Sequence, residues 1–190
     1  MGQIKRLFFG VEAIAPWPDQ FPEGRILLET DRHLTLAFLG DADLAQIQSL
    51  LPTFPKPPFS IGLAGFFDEP VFLPPRSPRV AAWHIEWLEG KEEFLRYEKV
   101  VVEWLRNKGL SPREKKGEFL SHVTIARDPV SIQDWRASFE KLPLFIRNIH
   151  LCESLGHSRY EVCWSSPILP PFEANRVWAA SCSAVSSASS

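Results

Sequence analysis

Cysteine is scarce in this chain, long apolar runs and an excess of one charge are missing from it, and each shortage closes off a class of function. The three cysteines, Cys152, Cys163 and Cys182, are odd in number and show no C-x-x-C spacing. A disulfide framework is therefore not expected, and reduced thiols in the cytoplasm are. Lysine and arginine number 21 against 23 aspartates and glutamates, a formal net charge of -2. That balance argues against a protein whose main task is to coat nucleic acid and leaves any such contact to a local patch. No apolar stretch approaches the length that spans a bilayer, and Arg6 stands where an N-myristoylation pattern needs Ser or Thr, so no membrane attachment is expected. No H-x-H, H-E-x-x-H or Cys/His cluster spacing occurs, so neither a metal nor another cofactor is expected.

What remains is a chain of 190 residues, 45% hydrophobic, long enough for one buried domain or two small lobes sharing a core. Alternating apolar residues predict strands at 6–13, 33–40, 60–67, 79–87, 121–127 and 144–154. Asp41 or Asp43 caps a short helix carrying Leu44, Ile47, Leu50 and Leu51, which Pro52 stops. The clearest helix starts at Lys91; Phe94, Tyr97, Val101, Trp104 and Leu105 form its apolar stripe and Gly109 ends it. Ser131 caps a third helix bearing Ile132, Trp135 and Phe139. The Pro-rich segment 15–24, with Trp17, reads as surface loop, and "ESLGHSRY" (153–160) reads as a loop near a cleft. Residues 1–172 read as a single domain, and the Ser/Ala-rich stretch 173–190 as a disordered or non-native tail. A monomer is expected, because no apolar stripe is left over.

Histidine is scarce as well, with five in the chain, and threonine numbers four. Chance then predicts about 0.1 His-x-Thr triplets, yet there are two: His33-Leu34-Thr35 and, eighty-nine positions later, His122-Val123-Thr124. The order strand, capped helix, proline, strand follows each of them, which reads as an internal duplication able to bring both histidines to one cleft. A single histidine on a strand is most often a half-exposed structural residue; a repeated pair asks for more. Spacing by two sets His and Thr on one strand face, offering a proton carrier beside a hydroxyl donor. Two imidazoles near pKa ~6.5 can divide acid and base roles around a phosphorus centre. Thr35 and Thr124 can hold its non-bridging oxygens. His84 reads as structural, and His150 and His157 lack a Thr partner. Lys5, Arg6, Arg76 and Arg79 can form a basic rim.

His33-Leu34-Thr35-Leu36-Ala37-Phe38 fits H-x-T-x-x-F and His122-Val123-Thr124-Ile125-Ala126-Arg127 fits H-x-T-x-x-R, the signatures of the two-histidine phosphoesterases. With "RLFFGV" near the start and "LCESLGHSRYEV" near the end, the chain resembles the RNA 2′,3′-cyclic phosphodiesterase branch, the 2′-5′ RNA ligase family, over about Arg6 to Val162. The resemblance implies an α+β, bilobed fold of two pseudo-symmetric lobes, with antiparallel sheets lining a central cleft and helices outside. It also implies hydrolysis of a terminal 2′,3′-cyclic phosphate on RNA to a 2′-phosphate. His33 would be the general acid, His122 the general base, Arg127 the phosphate clamp and Phe38 the base-stacking residue. RNA 3′ ends or small nucleotides would be its partners. Two other readings stay open: a reversible 2′-5′ RNA nuclease and ligase, and a non-catalytic RNA or nucleotide-binding module. Strict alternation puts Phe38 and Arg127, each five residues past its histidine, on the opposite face, so those roles need each strand to bulge or end in between.

Overall fold

The structure is a computed structural model that describes residues 3–59, 63–113 and 119–168; the Ser/Ala stretch expected as a tail lies outside them. Among the described residues, eight strands and three α-helices alternate: β1 (Ile4–Ile14), β2 (Arg25–Ile26), β3 (His33–Asp43), α1 (Leu44–Leu50), β4 (Ala64–Leu73), β5 (Val80–Trp87), α2 (Lys91–Asn107), β6 (His122–Arg127), α3 (Ile132–Ala137), β7 (Leu142–Gly156) and β8 (Arg159–Pro167). The class is α+β. The capping residues act as their types require. Asp43 Oδ1 accepts from the Ala45 amide at 2.9 Å to start α1, and Ser131 Oγ accepts from the Asp134 amide at 3.4 Å to start α3. On α2, Phe94, Tyr97, Val101 and Leu105 are buried, while Trp104 is only partly so.

All the described strand pairings are antiparallel, and the order β1-β3-β6-β5-β4-β7 closes on itself through a β1–β7 pairing, with β8 added to β7 and β2 to β6. Where the sequence suggests separate sheets, the described strands form one barrel-like sheet. Exchanging β1 with β5, β3 with β6 and β4 with β7 maps the ring onto itself: β1–β3 becomes β5–β6, β1–β7 becomes β5–β4, and β3–β6 and β4–β7 are unchanged. The same exchange maps β3-α1-β4 onto β6-α3-β7, so the duplicated order of elements is carried into the topology. The core gathers Phe9, Val11, Leu34, Leu36, Val123, Ile125, Ile149 and Leu151 with the apolar stripe of α2.

The Pro-rich segment 15–24 is loop with no buried residue, whereas the reading of 153–160 as loop is corrected. Trp17 is half-buried and packs against Phe67 and Trp83 beneath the Arg32 guanidinium, 4.6 Å from its ring centroid. A cation with an aromatic face to cover draws the Pro-rich segment inward. The stretch 153–160 is mostly strand: β7 runs to Gly156, β8 starts at Arg159, and only His157 (φ 51) and Ser158 (φ 61) turn between them. Positive φ at both central residues is the geometry of a two-residue hairpin turn, and the Asn-Gly signal that would announce it is lacking.

Candidate active site

The two motif strands meet near their starts. Leu34 of β3 pairs with Val123 of β6, and continuing that antiparallel register one step each way sets His33 across from Thr124 and Thr35 across from His122. Leu34 and Val123 are buried in the core, while the two histidines and two threonines are half-buried and line one cavity of about 390 Å³. A chain separation of eighty-nine residues thus becomes a cross-strand neighbourhood.

Each strand then breaks its alternation at the same place. On β3, Phe9 pairs with Ala37 and Gly10 with Thr35, skipping Leu36. On β6, Ala81 pairs with Ala126 and Ala82 with Thr124, skipping Ile125. Consecutive buried residues, Leu36-Ala37 and Ile125-Ala126, mark the two bulges. Each bulge restores the following residue to the histidine face, so Phe38 and Arg127 line the same cavity as His33 and His122. Phe38 keeps 45% of its surface exposed, a large apolar ring offered to something other than the core.

Both imidazoles are oriented by the same device. Nδ1 of His33 lies 2.8 Å from the Asp31 carbonyl, and Nδ1 of His122 lies 2.8 Å from the Leu120 carbonyl. A carbonyl only accepts, so each Nδ1 carries the proton and Nε2 is the nitrogen that titrates. Their surroundings differ. His33 stacks on Phe8 at 4.6 Å between centroids and meets the edge of Tyr160 at 4.9 Å. A Cβ on Gly10 would stand 3.1 Å from His33 Cδ2, so a side chain there would push the ring. This packing lowers the His33 pKa to about 4: burial is the main cause, opposed by the Asp31 carbonyl and reinforced by the nearby His122, Arg127 and His150. In the free chain His33 is therefore neutral at neutral pH. Asp31 in turn accepts from the Tyr160 amide at 3.2 Å, tying the β7–β8 hairpin to the residue that orients His33; burial raises the pKa of its carboxyl.

The other residues singled out from the sequence sort by position. His84 pairs across the strands with His122, and its Nδ1 lies 2.7 Å from Asp68 Oδ1; this places a His–Asp pair beside the site but outside the cavity lining. His150 bonds Ser165 Oγ at 2.7 Å, away from that lining, and His157 sits in the hairpin turn. Lys5 is ion-paired with Glu153. Arg76 and Arg79 lie exposed at the β4–β5 connection. Among the described residues, no three His, Cys, Asp or Glu side chains cluster as a metal site, and no helix is long and apolar enough to cross a membrane. Sequence reasoning does not pick out Phe8, Gly10 or Tyr160 as site residues. Gly10, a glycine inside an apolar strand, carries the signal of close approach, and Tyr160 falls in the stretch 153–160 that reads as lying near a cleft. A second cavity of about 370 Å³ adjoins the first across Phe38, Arg127 and Tyr160.

No protein-family model and no curated protein matches the chain. Solved structures do. The chain is similar to E. coli LigT complexed with 3′-AMP (20% identity, TM-score 0.58, covering 87% of this chain and 98% of that one). It is similar also to a phosphoesterase (18%, TM-score 0.59, 88% and 100%) and to the protein TT0787 of Thermus thermophilus (19%, TM-score 0.58, 88% and 100%). The chain shares their fold over nearly their whole length.

Proposed function

We propose that the chain is a two-histidine phosphoesterase that opens a terminal 2′,3′-cyclic phosphate on RNA to leave a 2′-phosphate. The observation that carries this reading is the pairing of two His-x-Thr strands about Leu34–Val123, with both Nδ1 atoms anchored on carbonyls and one cavity between them. The likeness to LigT complexed with a nucleotide, and to a phosphoesterase, supports it.

The chemistry follows from that placement. His122 Nε2 takes a proton from a water as the water oxygen bonds to phosphorus. The P–O3′ bond breaks in line, and His33 Nε2 gives its proton to the departing O3′. Thr35 and Thr124 donate to the non-bridging oxygens, and Arg127 grips them as their charge grows. Phe38 stacks on the terminal base, which suits recognition of an RNA end without regard to sequence. Because His33 is neutral in the free chain, the acid role requires that it gain its proton as the anionic phosphate arrives. The anion favours the imidazolium and so raises the pKa.

Incubation of the protein with a short RNA ending in a 2′,3′-cyclic phosphate, in the presence of EDTA, tests the reading. A 2′-phosphate product, reduced about 10²-fold or more in His33→Ala and in His122→Ala, is the expected result. No product from folded wild-type protein sinks it.

A further inference from the structure

The second cavity is lined, among the described residues, by Arg6, Arg25, Arg113 and Arg127 and by no carboxylate. Guanidinium groups gathered in a concave surface repel one another unless an anion joins them. The strand register sharpens the point, because Arg25 of β2 pairs directly with Arg127 of β6, and like charges opposite each other destabilise a strand pair. Asp41 of β3 sits across from Arg6 of β1 in the register and does not line the cavity. Arg113 is held over the cavity by its amide, which donates to the Phe38 carbonyl at 2.8 Å, and its Nε lies 3.8 Å from where a Gly40 Cβ would stand. Gly40 itself holds φ +75, a backbone conformation that residues other than glycine rarely adopt. The turn residues His157 and Ser158 also line it, and the buried Ser158 Oγ has no hydrogen-bond partner among the described residues.

We infer that this cavity is a subsite for a second phosphate, the one carried on O5′ of the nucleoside whose cyclic phosphate lies between the histidines, so that a single-stranded RNA end is the substrate class in preference to a cyclic mononucleotide. The inference rests on the proposed function and adds a binding element to it. The two cavities share Phe38, Arg127 and Tyr160, so a strand whose last base stacks on Phe38 passes directly from one to the other. Arginine forks match phosphate oxygens in geometry as well as charge.

The test compares uridine 2′,3′-cyclic phosphate, its 5′-phosphorylated form, and the dinucleotide UpU ending in the same cyclic phosphate. Wild type is set beside a double variant, Arg6→Gln with Arg113→Gln, whose substituted side chains are exposed. Wild-type kcat/KM is expected to rise about tenfold or more on adding the O5′ phosphate, mostly through KM, and to fall more steeply with salt, by about 0.7 in the log–log slope for each phosphate neutralised. In the double variant the advantage should shrink to about twofold. A gain common to the 5′-phosphate and the dinucleotide assigns the subsite to the phosphate itself, and a gain for the dinucleotide alone that the variant loses assigns it to a strand. Equal kcat/KM for all three substrates in wild type, or a gain that survives in the double variant, overturns the inference. Fluorescence anisotropy with a labelled pentanucleotide ending in a 2′-phosphate separates the two claims. Arginine-dependent binding with no turnover of any cyclic phosphate leaves the subsite standing and removes the proposed reaction. Turnover with binding no tighter than that of uridine 2′-monophosphate does the reverse.

Discussion

His33 is the residue whose chemistry depends most on its packing. Phe8, Tyr160 and Gly10 enclose the ring, and burial lowers its pKa to about 4. An NMR titration of the ring protons should therefore find a midpoint near 4 in the free protein, moved upward by a nucleoside 2′-monophosphate. A midpoint near ~6.5 that ignores the ligand would contradict it. The same shift acts on folding. The unfolded chain binds this proton near pH ~6.5 and the folded chain only near 4, so the stability contributed by neutral His33 is complete above ~6.5 and is lost as pH falls through about 4. Denaturant midpoints measured across that window, with and without His33→Ala, read it out. Gly10→Ala should slow turnover by roughly ten- to a hundredfold by displacing the imidazole, and retained affinity for the ligand with normal turnover would refute that. At this scale the two histidines, two threonines, Phe38 and Arg127 are legible in the sequence because they recur in two motifs. The enclosing residues are less so: Phe8 reads as an ordinary strand aromatic until β1 is placed, and Tyr160 as part of a loop near a cleft until β8 is.

The bulges at Leu36-Ala37 and Ile125-Ala126 are what let a strand present three of the candidate site residues on one face. Alternation supplies the first two, and one extra residue brings the third back into phase. Below each motif, Leu34 and Val123 join the two strands through the core. Leu34→Ala should cost about 2–5 kcal/mol by chemical denaturation, and the protein that remains folded should also lose activity, because the cross-strand placement of His33 and Thr124 depends on that contact. Unchanged activity in a destabilised variant would show that the seam does not position the histidines. The helices are legible from their caps and apolar spacing, as Asp43, Ser131 and the Phe94–Leu105 stripe show. The sequence indicates that bulges are needed but not where, since neither a glycine nor a proline marks the skipped residues Leu36 and Ile125. The β7–β8 hairpin is hidden in the sequence because His157-Ser158 lacks the glycine that such turns favour.

Over the whole molecule, the exchange of β1, β3 and β4 with β5, β6 and β7 makes the two histidines equivalent in position and leaves them unequal in surroundings. In the proposed reaction they act on one phosphorus from two sides, so the His33→Ala, His122→Ala double variant should be no more than a few-fold slower than the slower single one. Strictly multiplicative losses would show that the two do not work as a unit. The duplication is visible in the repeated order of elements, but ring closure is not, because it rests on β1 pairing with β7, far along the chain. Closure leaves two seams where the related halves of the ring join. Between β4 and β7 the register runs from Ala64–Phe145 to Phe67–Leu142, whereas between β3 and β6 it rests on Leu34–Val123. The ring is therefore clamped on one side and barely buttoned on the other. The gap between the imidazoles lies at that lightly paired seam; a bound phosphate would bridge it like a rivet, and amide exchange along β3 and β6 should slow more than elsewhere when it does.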